Sequence, residues 1–101
     1  MGTDMNTYQH RIQQTQQLPD HSTLEYLALG LLADAGQVAG RTQKAVRECG
    51  GIVDADTFVD LQRNLGDVLV GVAALATHLG VSMNSLAQTS LNRLEGVDGG
   101  Y

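Results

Sequence analysis

Proline and cysteine each occur once in this 101-residue chain, and tryptophan is absent. With Pro19 the only proline, nothing else in the chain carries the residue that most strongly breaks helices. With Cys49 alone there is no internal disulfide, and no CxxC or paired histidine pattern marks it as a ligand or nucleophile. It reads as structural or incidental. Aromatics are only 4% of residues, namely Tyr8, Tyr26, Phe58 and Tyr101. A core must then come from Leu, Val and Ala, which suits packed helices better than a sandwich of aromatic-rich strands. Basic residues are few: six Lys and Arg against eleven Asp and Glu give a net charge of −5. Such a chain is repelled by a polyanionic duplex, so nucleic acid is not an expected partner. No apolar run approaches the length of a membrane span, and "MGTDMNTYQHR" lacks the apolar centre of a signal peptide. The expectation is a soluble cytoplasmic protein with no membrane partner. No GxxxxGK[ST] loop is present, and His10, His21 and His78 have no metal-ligand spacing.

What the chain has is helical periodicity. Residues 5–17 read as a short, weakly amphipathic helix with Tyr8 and Ile12 one turn apart. "LPDHS" ends it, and Asp20 and Ser22 are suited to cap a second helix. That helix is predicted from about Thr23 to Glu48, with Leu24, Leu27, Leu31, Ala35, Val38, Thr42 and Ala45 on one face. Gly50 and Gly51 supply left-handed geometry to close it, and Asp54 caps a third helix from about Ala55 to His78. The stretch "VLVGVAALATHL" is apolar nearly all round and marks a helix buried on most sides. After a stop at Gly80 and a cap at Ser82, a fourth helix runs from about Met83 to Leu94 with Leu86, Leu91 and Leu94 turned inward. Residues 1–4 and 96–101 are expected to be flexible ends of one domain, 1–101. There is no credible strand pattern. The fold class is therefore all-α, a four-helix subunit.

A helix of 26 residues is about 39 Å long, whereas a compact globule of this size has a radius of gyration of about 13 Å. One small subunit cannot wrap two such helices, so a homodimer or homotetramer forming an oligomeric helical bundle is expected. Gly30, Gly36 and Gly40 point the same way. Each costs about 1 kcal/mol against alanine inside a helix, a cost accepted where another backbone passes close; a kink is the alternative.

The second helix also carries a polar stripe. At about 100° per residue with Asp34 at zero, Gln37 falls near 300°, Arg41 near 340°, Lys44 near 280° and Glu48 near 320°. Asp60, Asn64, Asp67 and His78 lie within about 60° of one another on the third helix. Antiparallel packing would join the two stripes in a groove, acidic at one level and basic at the other. Hard oxygen ligands beside basic residues suit Mg²⁺ with a phosphate chain.

"LEYLALGLLADAGQVAGRTQKAVRECGG" followed by "LQRNLGDVLVGVAALATHLGVSMNSLAQTSLNRL" resembles the MazG-type family of all-α nucleoside triphosphate pyrophosphohydrolases, over about Tyr8 to Leu94. The resemblance implies a four-helix subunit in dimers or tetramers. It also implies Mg²⁺ on a quartet of acidic residues, two on each of two helices, and cleavage of an NTP to NMP and pyrophosphate.

The departures fall on that quartet. Where the family reads Gly-Glu-Ala-Gly-Glu-Val this chain has "ADAGQV", placing Asp34 and Gln37 at the glutamates. Where it reads Glu-Leu-Gly-Asp this chain has "NLGD", placing Asn64 at the glutamate and keeping Asp67. An aromatic pair of the family becomes Val70 and Gly71. By resemblance Lys44 and Arg47 match a basic segment that, with Arg41, would grip phosphates, while Ser90 and Arg93 would lie near the nucleotide. Basic residues near a helix C-terminus equally complement its dipole.

The quartet's formal charge falls from −4 to −2. At an effective dielectric of about 20, each charge lost 4 Å from a monovalent cation forfeits roughly 4 kcal/mol of attraction. Mg²⁺ is then expected to be held weakly or not at all, with Asp34 and Asp67 the only carboxylates left as catalytic bases. The leading expectation is a MazG-like protein that binds a nucleoside triphosphate or related nucleotide with weak or lost catalysis. One alternative is an active enzyme with a metal site shifted to Asp34, Asp60 and Asp67, in which small Val70 and Gly71 admit a different base or a larger nucleotide. The other is a non-enzymatic helical assembly protein.

Overall fold

The computed structural model describes residues 3–15 and 24–96, and these are all-helical, with no strand. Four helices succeed one another: α1 (Met5–Thr15), α2 (Leu24–Cys49), α3 (Ala55–Leu79) and α4 (Met83–Glu95). The expected caps at Asp20 and Ser22, with Pro19, His21 and Tyr101, lie outside the described residues.

The helix ends are set by local chemistry. Gly50 and Gly51 sit at φ 64° and 88°, a left-handed conformation that costs side-chain-bearing residues free energy. Asp54 then caps α3, its carboxylate accepting the Thr57 amide at 2.8 Å, and that bond holds its carboxyl below the usual range. Ser82 does the same for α4, accepting from the Ser85 amide at 3.1 Å. Asp4, at the end of the leader, caps α1 by accepting from the Thr7 amide at 2.7 Å.

The chain forms two compact units. One holds α2 and α3 as far as Val72; the other holds α1, the end of α3 from Ala73, and α4. Within the first, Leu31 lies against Gly71, Arg41 reaches Asp60 and Asn64, and Ala45 and Thr57 line one cleft. Partner numbers fall on α3 as they rise on α2, so the two helices are an antiparallel hairpin. The expected inward face of α2 is realised in part: Leu27 and Ala45 are buried and Leu31 and Val38 half-buried, but Leu24, Ala35 and Thr42 are exposed. On α3, none of residues 70–77 is exposed, as the all-round apolar pattern predicts.

The close approach of another backbone expected at Gly30, Gly36 and Gly40 is not made within the chain itself. A Cβ at any of those three would meet nothing within 4 Å, whereas one at Gly71 would come within 3.1 Å of Leu31 Cδ1 and 3.5 Å of its Cα. Among the described glycines, Gly71 is thus the one that packs closely against another helix.

In the second unit, polar side chains of α1 complete the start of α4. Gln9 accepts the Met83 amide at 2.8 Å and donates to the Val81 carbonyl at 2.9 Å and the Thr77 hydroxyl at 3.2 Å. Asn6 accepts the Asn84 amide at 3.0 Å. With Ser82 on Ser85, the first three amides of α4 are all satisfied, two of them by a helix about 75 residues away in sequence. Gln9→Ala leaves the part-buried Met83 amide without its partner, while water can replace the exposed bond to the Val81 carbonyl; the expected loss is about 1–3 kcal/mol, read by chemical denaturation at fixed protein concentration.

The inward placement of Leu86, Leu91 and Leu94 is corrected. Met83 on α4 is buried, but those three leucines are exposed, Leu94 to 80%. The cause is the path of α1, whose contacts run from Asn84 at Asn6 back to Thr77 at Gln9. The hydrogen bonds from α1 to α4 fall on its first turn, at Met83 and Asn84.

Candidate functional site

The hairpin of α2 and α3 has a polar side, and the sequence-predicted residues gather there around Arg41. Its Nε donates to Asn64 Oδ1 at 2.7 Å. A terminal guanidinium nitrogen donates to Asp60 Oδ2 at 3.1 Å, an ion pair. Asn64 is 7% exposed and is the buried polar residue among those described. Its oxygen, which would be the only possible metal donor of an amide, is turned to a cation. Asp60, the candidate for a shifted metal site, spends one carboxylate oxygen on the same cation. The two stripes therefore do meet, joined by a guanidinium at their centre.

Around this clamp the other expected residues are more open. The register of the hairpin puts Asp34 level with Asp67; Asp34 is half-buried, and Gln37 and Asp67 are exposed. Lys44 and Arg47 are exposed near the end of α2. Ser90 and Arg93 belong to the α1/α4 unit. The Ser90 hydroxyl donates to the Ala87 carbonyl at 2.9 Å, and the Arg93 carbonyl accepts the Gly96 amide at the end of α4.

Two hollows flank the clamp. A cleft of about 230 Å³ lies between the end of α2 and the start of α3, lined by Arg41, Lys44, Glu48, Asp54, Asp56 and Asp60 among others. Four carboxylates against two cations make it no attractor of phosphate. A shallower hollow of about 430 Å³ is lined by Ala33, Gly36, Gln37, Gly40, Arg41 and Lys44. Here the glycines leave backbone exposed beside two cations and an amide, without a carboxylate, and a small anion fits this chemistry better.

Among the described residues no three of His, Cys, Asp and Glu are gathered so as to hold a metal ion. The amide oxygen and one carboxylate on this side already serve Arg41, whose positive charge would oppose a divalent neighbour. The space beside Gly71 is taken by Leu31, whose Cδ1 would stand 3.1 Å from a Cβ built there. The clamp was foreshadowed in the sequence by Arg41, Asp60 and Asn64 falling on facing stripes. The pairing itself depends on register, which periodicity does not give.

Among the described residues no single helix is long and apolar enough to cross a membrane. No family model matches the chain, and no solved structure does. A protein of Mycobacterium phage L5, "Gene 37 protein", is 38% identical over 72 residues, 71% of this chain. The chain spans only 63% of that relative's length.

Proposed function

We propose that this chain is a MazG-like nucleotide-binding protein whose pyrophosphohydrolase centre is closed by Arg41, so that it binds a nucleoside triphosphate or related nucleotide without efficient cleavage. The observation that carries the reading is the bond from Arg41 to buried Asn64. In the family it resembles, that position supplies a metal-binding carboxylate; here an amide faces a cation. Phosphates would sit in the shallow hollow on Lys44 and the remaining donors of Arg41. In-line attack by water needs a metal or a free base to activate it. Asp34 and Asp67 are the carboxylates that the resemblance leaves for that work, and Asp60 is engaged.

Purified protein incubated with each common NTP and dNTP, with Mg²⁺ or Mn²⁺, is expected to release no pyrophosphate above the protein-free rate. Calorimetry is expected to show binding of at least one of these nucleotides. Turnover at sub-stoichiometric protein refutes the closed centre. Absence of binding by every nucleotide refutes the nucleotide reading and leaves the alternative, a helical assembly protein. That alternative is favoured by one observation of its own, the extent of exposed apolar surface on α2 and α3.

A further inference from the structure

The shallow hollow of about 430 Å³ beside the clamp is built on one helix, since Ala33, Gly36, Gln37, Gly40, Arg41 and Lys44 all belong to α2. At about 100° per residue with Asp34 at zero, Gly36 and Gly40 fall near 200° and 240°, Lys44 and Gln37 near 280° and 300°, and Arg41 near 340°. Bare backbone, an ammonium with an amide, and a guanidinium thus follow one another around the helix. Glu48, one turn beyond Lys44, lines the acidic cleft instead.

The two cations are ready for a ligand in different ways. Arg41 is fixed in advance by Asn64 at 2.7 Å and Asp60 at 3.1 Å, yet its side chain is 42% exposed. A guanidinium already held in place loses little freedom on meeting an anion. Lys44 is exposed and, among the described residues, makes no ion pair. The glycines supply a separate observation. A Cβ at Gly36 or Gly40 would meet nothing within 4 Å, so packing within the described chain does not require glycine there, although alanine is the better helix former.

We infer that the hollow holds a phosphate chain free of magnesium, laid against the bare backbone of Gly36 and Gly40 and gripped by Lys44 and Arg41. The inference rests on the nucleotide reading above and assigns the part of the ligand that is gripped and its form. Glycine lets a ligand approach a backbone closely. The lining has no carboxylate, and Gln37 carries its only side-chain oxygen; Mg²⁺ takes several hard oxygen ligands. A magnesium ion on the chain would cancel part of the charge that attracts the two cations and would itself stand beside them. No aromatic side chain lines the hollow to stack a base. Recognition therefore falls on the phosphates, whether they come as a nucleotide or as inorganic polyphosphate.

Calorimetry of the full chain in EDTA, with inorganic tripolyphosphate, ATP and adenosine as probes, tests this. Tripolyphosphate and ATP should bind alike and adenosine not at all; excess Mg²⁺ should weaken both by about tenfold. Lys44→Gln should lower affinity by about tenfold, whereas Arg11→Gln, the same change of charge on α1, should leave it unchanged. Gly36→Ala and Gly40→Ala should have opposite effects on stability and binding. Each should melt about 4 °C higher than wild type and bind tripolyphosphate about tenfold more weakly.

ATP binding without tripolyphosphate binding, or binding that requires Mg²⁺, overturns the inference and leaves the nucleotide reading standing. Tripolyphosphate binding without any nucleotide binding does the reverse. Failure of both probes overturns the inference. So does a stabilised alanine variant that binds as tightly as wild type, or an Arg11→Gln chain weakened as much as Lys44→Gln. Weakened binding in an alanine variant that also sediments at a different mass overturns it too, because the glycines would then face another chain.

Discussion

Restoring the two missing carboxylates alone will not restore pyrophosphohydrolase activity; restoring them and removing Arg41 will. In Gln37→Glu with Asn64→Glu, the new glutamate at 64 arrives beside a guanidinium that already reaches Asn64 Oδ1 at 2.7 Å. The outcome is a partly buried ion pair, not a free ligand. Adding Arg41→Ala removes that competitor and an opposing charge, each unit charge at 4 Å being worth roughly 4 kcal/mol to a monovalent cation at an effective dielectric of about 20. The quartet at 34, 37, 64 and 67, which has its full formal charge of −4 in both variants, is then free of that competitor. The expected result is pyrophosphate release at the wild-type baseline for the double variant and at least about tenfold above it for the triple, since a metal-activated water is worth several kcal/mol. Mn²⁺ binding by calorimetry should rank the variants in the same order. Equal activity of the double and triple variants would show that Arg41 does not close the centre. A folded triple variant without metal binding or turnover would show that the groove was never of this kind.

Gly71→Phe, which puts back an aromatic where the resembled family has one, should be severely destabilising. The space is taken: a Cβ alone would stand 3.1 Å from Leu31 Cδ1 and 3.5 Å from Leu31 Cα. The methyl end of Leu31 can give way by a few tenths of an ångström, but its backbone belongs to the middle of α2. Overpacking of this kind costs about 1–3 kcal/mol where neighbours can adjust, and a whole ring against a helix backbone lies at or above the top of that range. Denaturant unfolding should show a midpoint well below wild type. Gly71→Ala is the contrast: about 1 kcal/mol of helix propensity is gained against a small shift of Leu31, so the net change should be within about 1 kcal/mol of zero. A phenylalanine variant as stable as the wild type would mean that the two helices separate more readily than their contact suggests.

The two experiments rest on parts of the molecule that were unequally legible in the sequence. Helix bounds were readable because the signals are local: two consecutive glycines at positive φ, Asp54 on Thr57, and Ser82 on Ser85 each act within a few residues. The facing of the polar stripes was readable from periodicity. The clamp was not, because a shift of one turn would give Arg41 different partners, and the register is fixed by packing such as that of Leu31 on Gly71. The role of Gly71 was missed for the same reason: a glycine's neighbour across the hairpin lies about 40 residues away. Periodicity also overstated burial on α4. It identified the apolar direction of Leu86, Leu91 and Leu94, but an apolar direction is covered only if another element lies along it. The polar side of α1 read as ordinary glutamine-rich sequence, although Asn6 and Gln9 are what the start of α4 depends on.

That dependence bears on how the chain is made. The groups that Asn6 and Gln9 engage, from Thr77 to Asn84, are synthesised about 70 to 80 residues after them. Until they clear the ribosome the first helix has no docking partner, and an 11-residue helix is marginal in water by itself. The nascent segment therefore waits, largely unstructured, while the α2/α3 hairpin can already close behind it. Native order in α1 therefore follows that of the hairpin, and it is set by residues about 70 to 80 positions downstream.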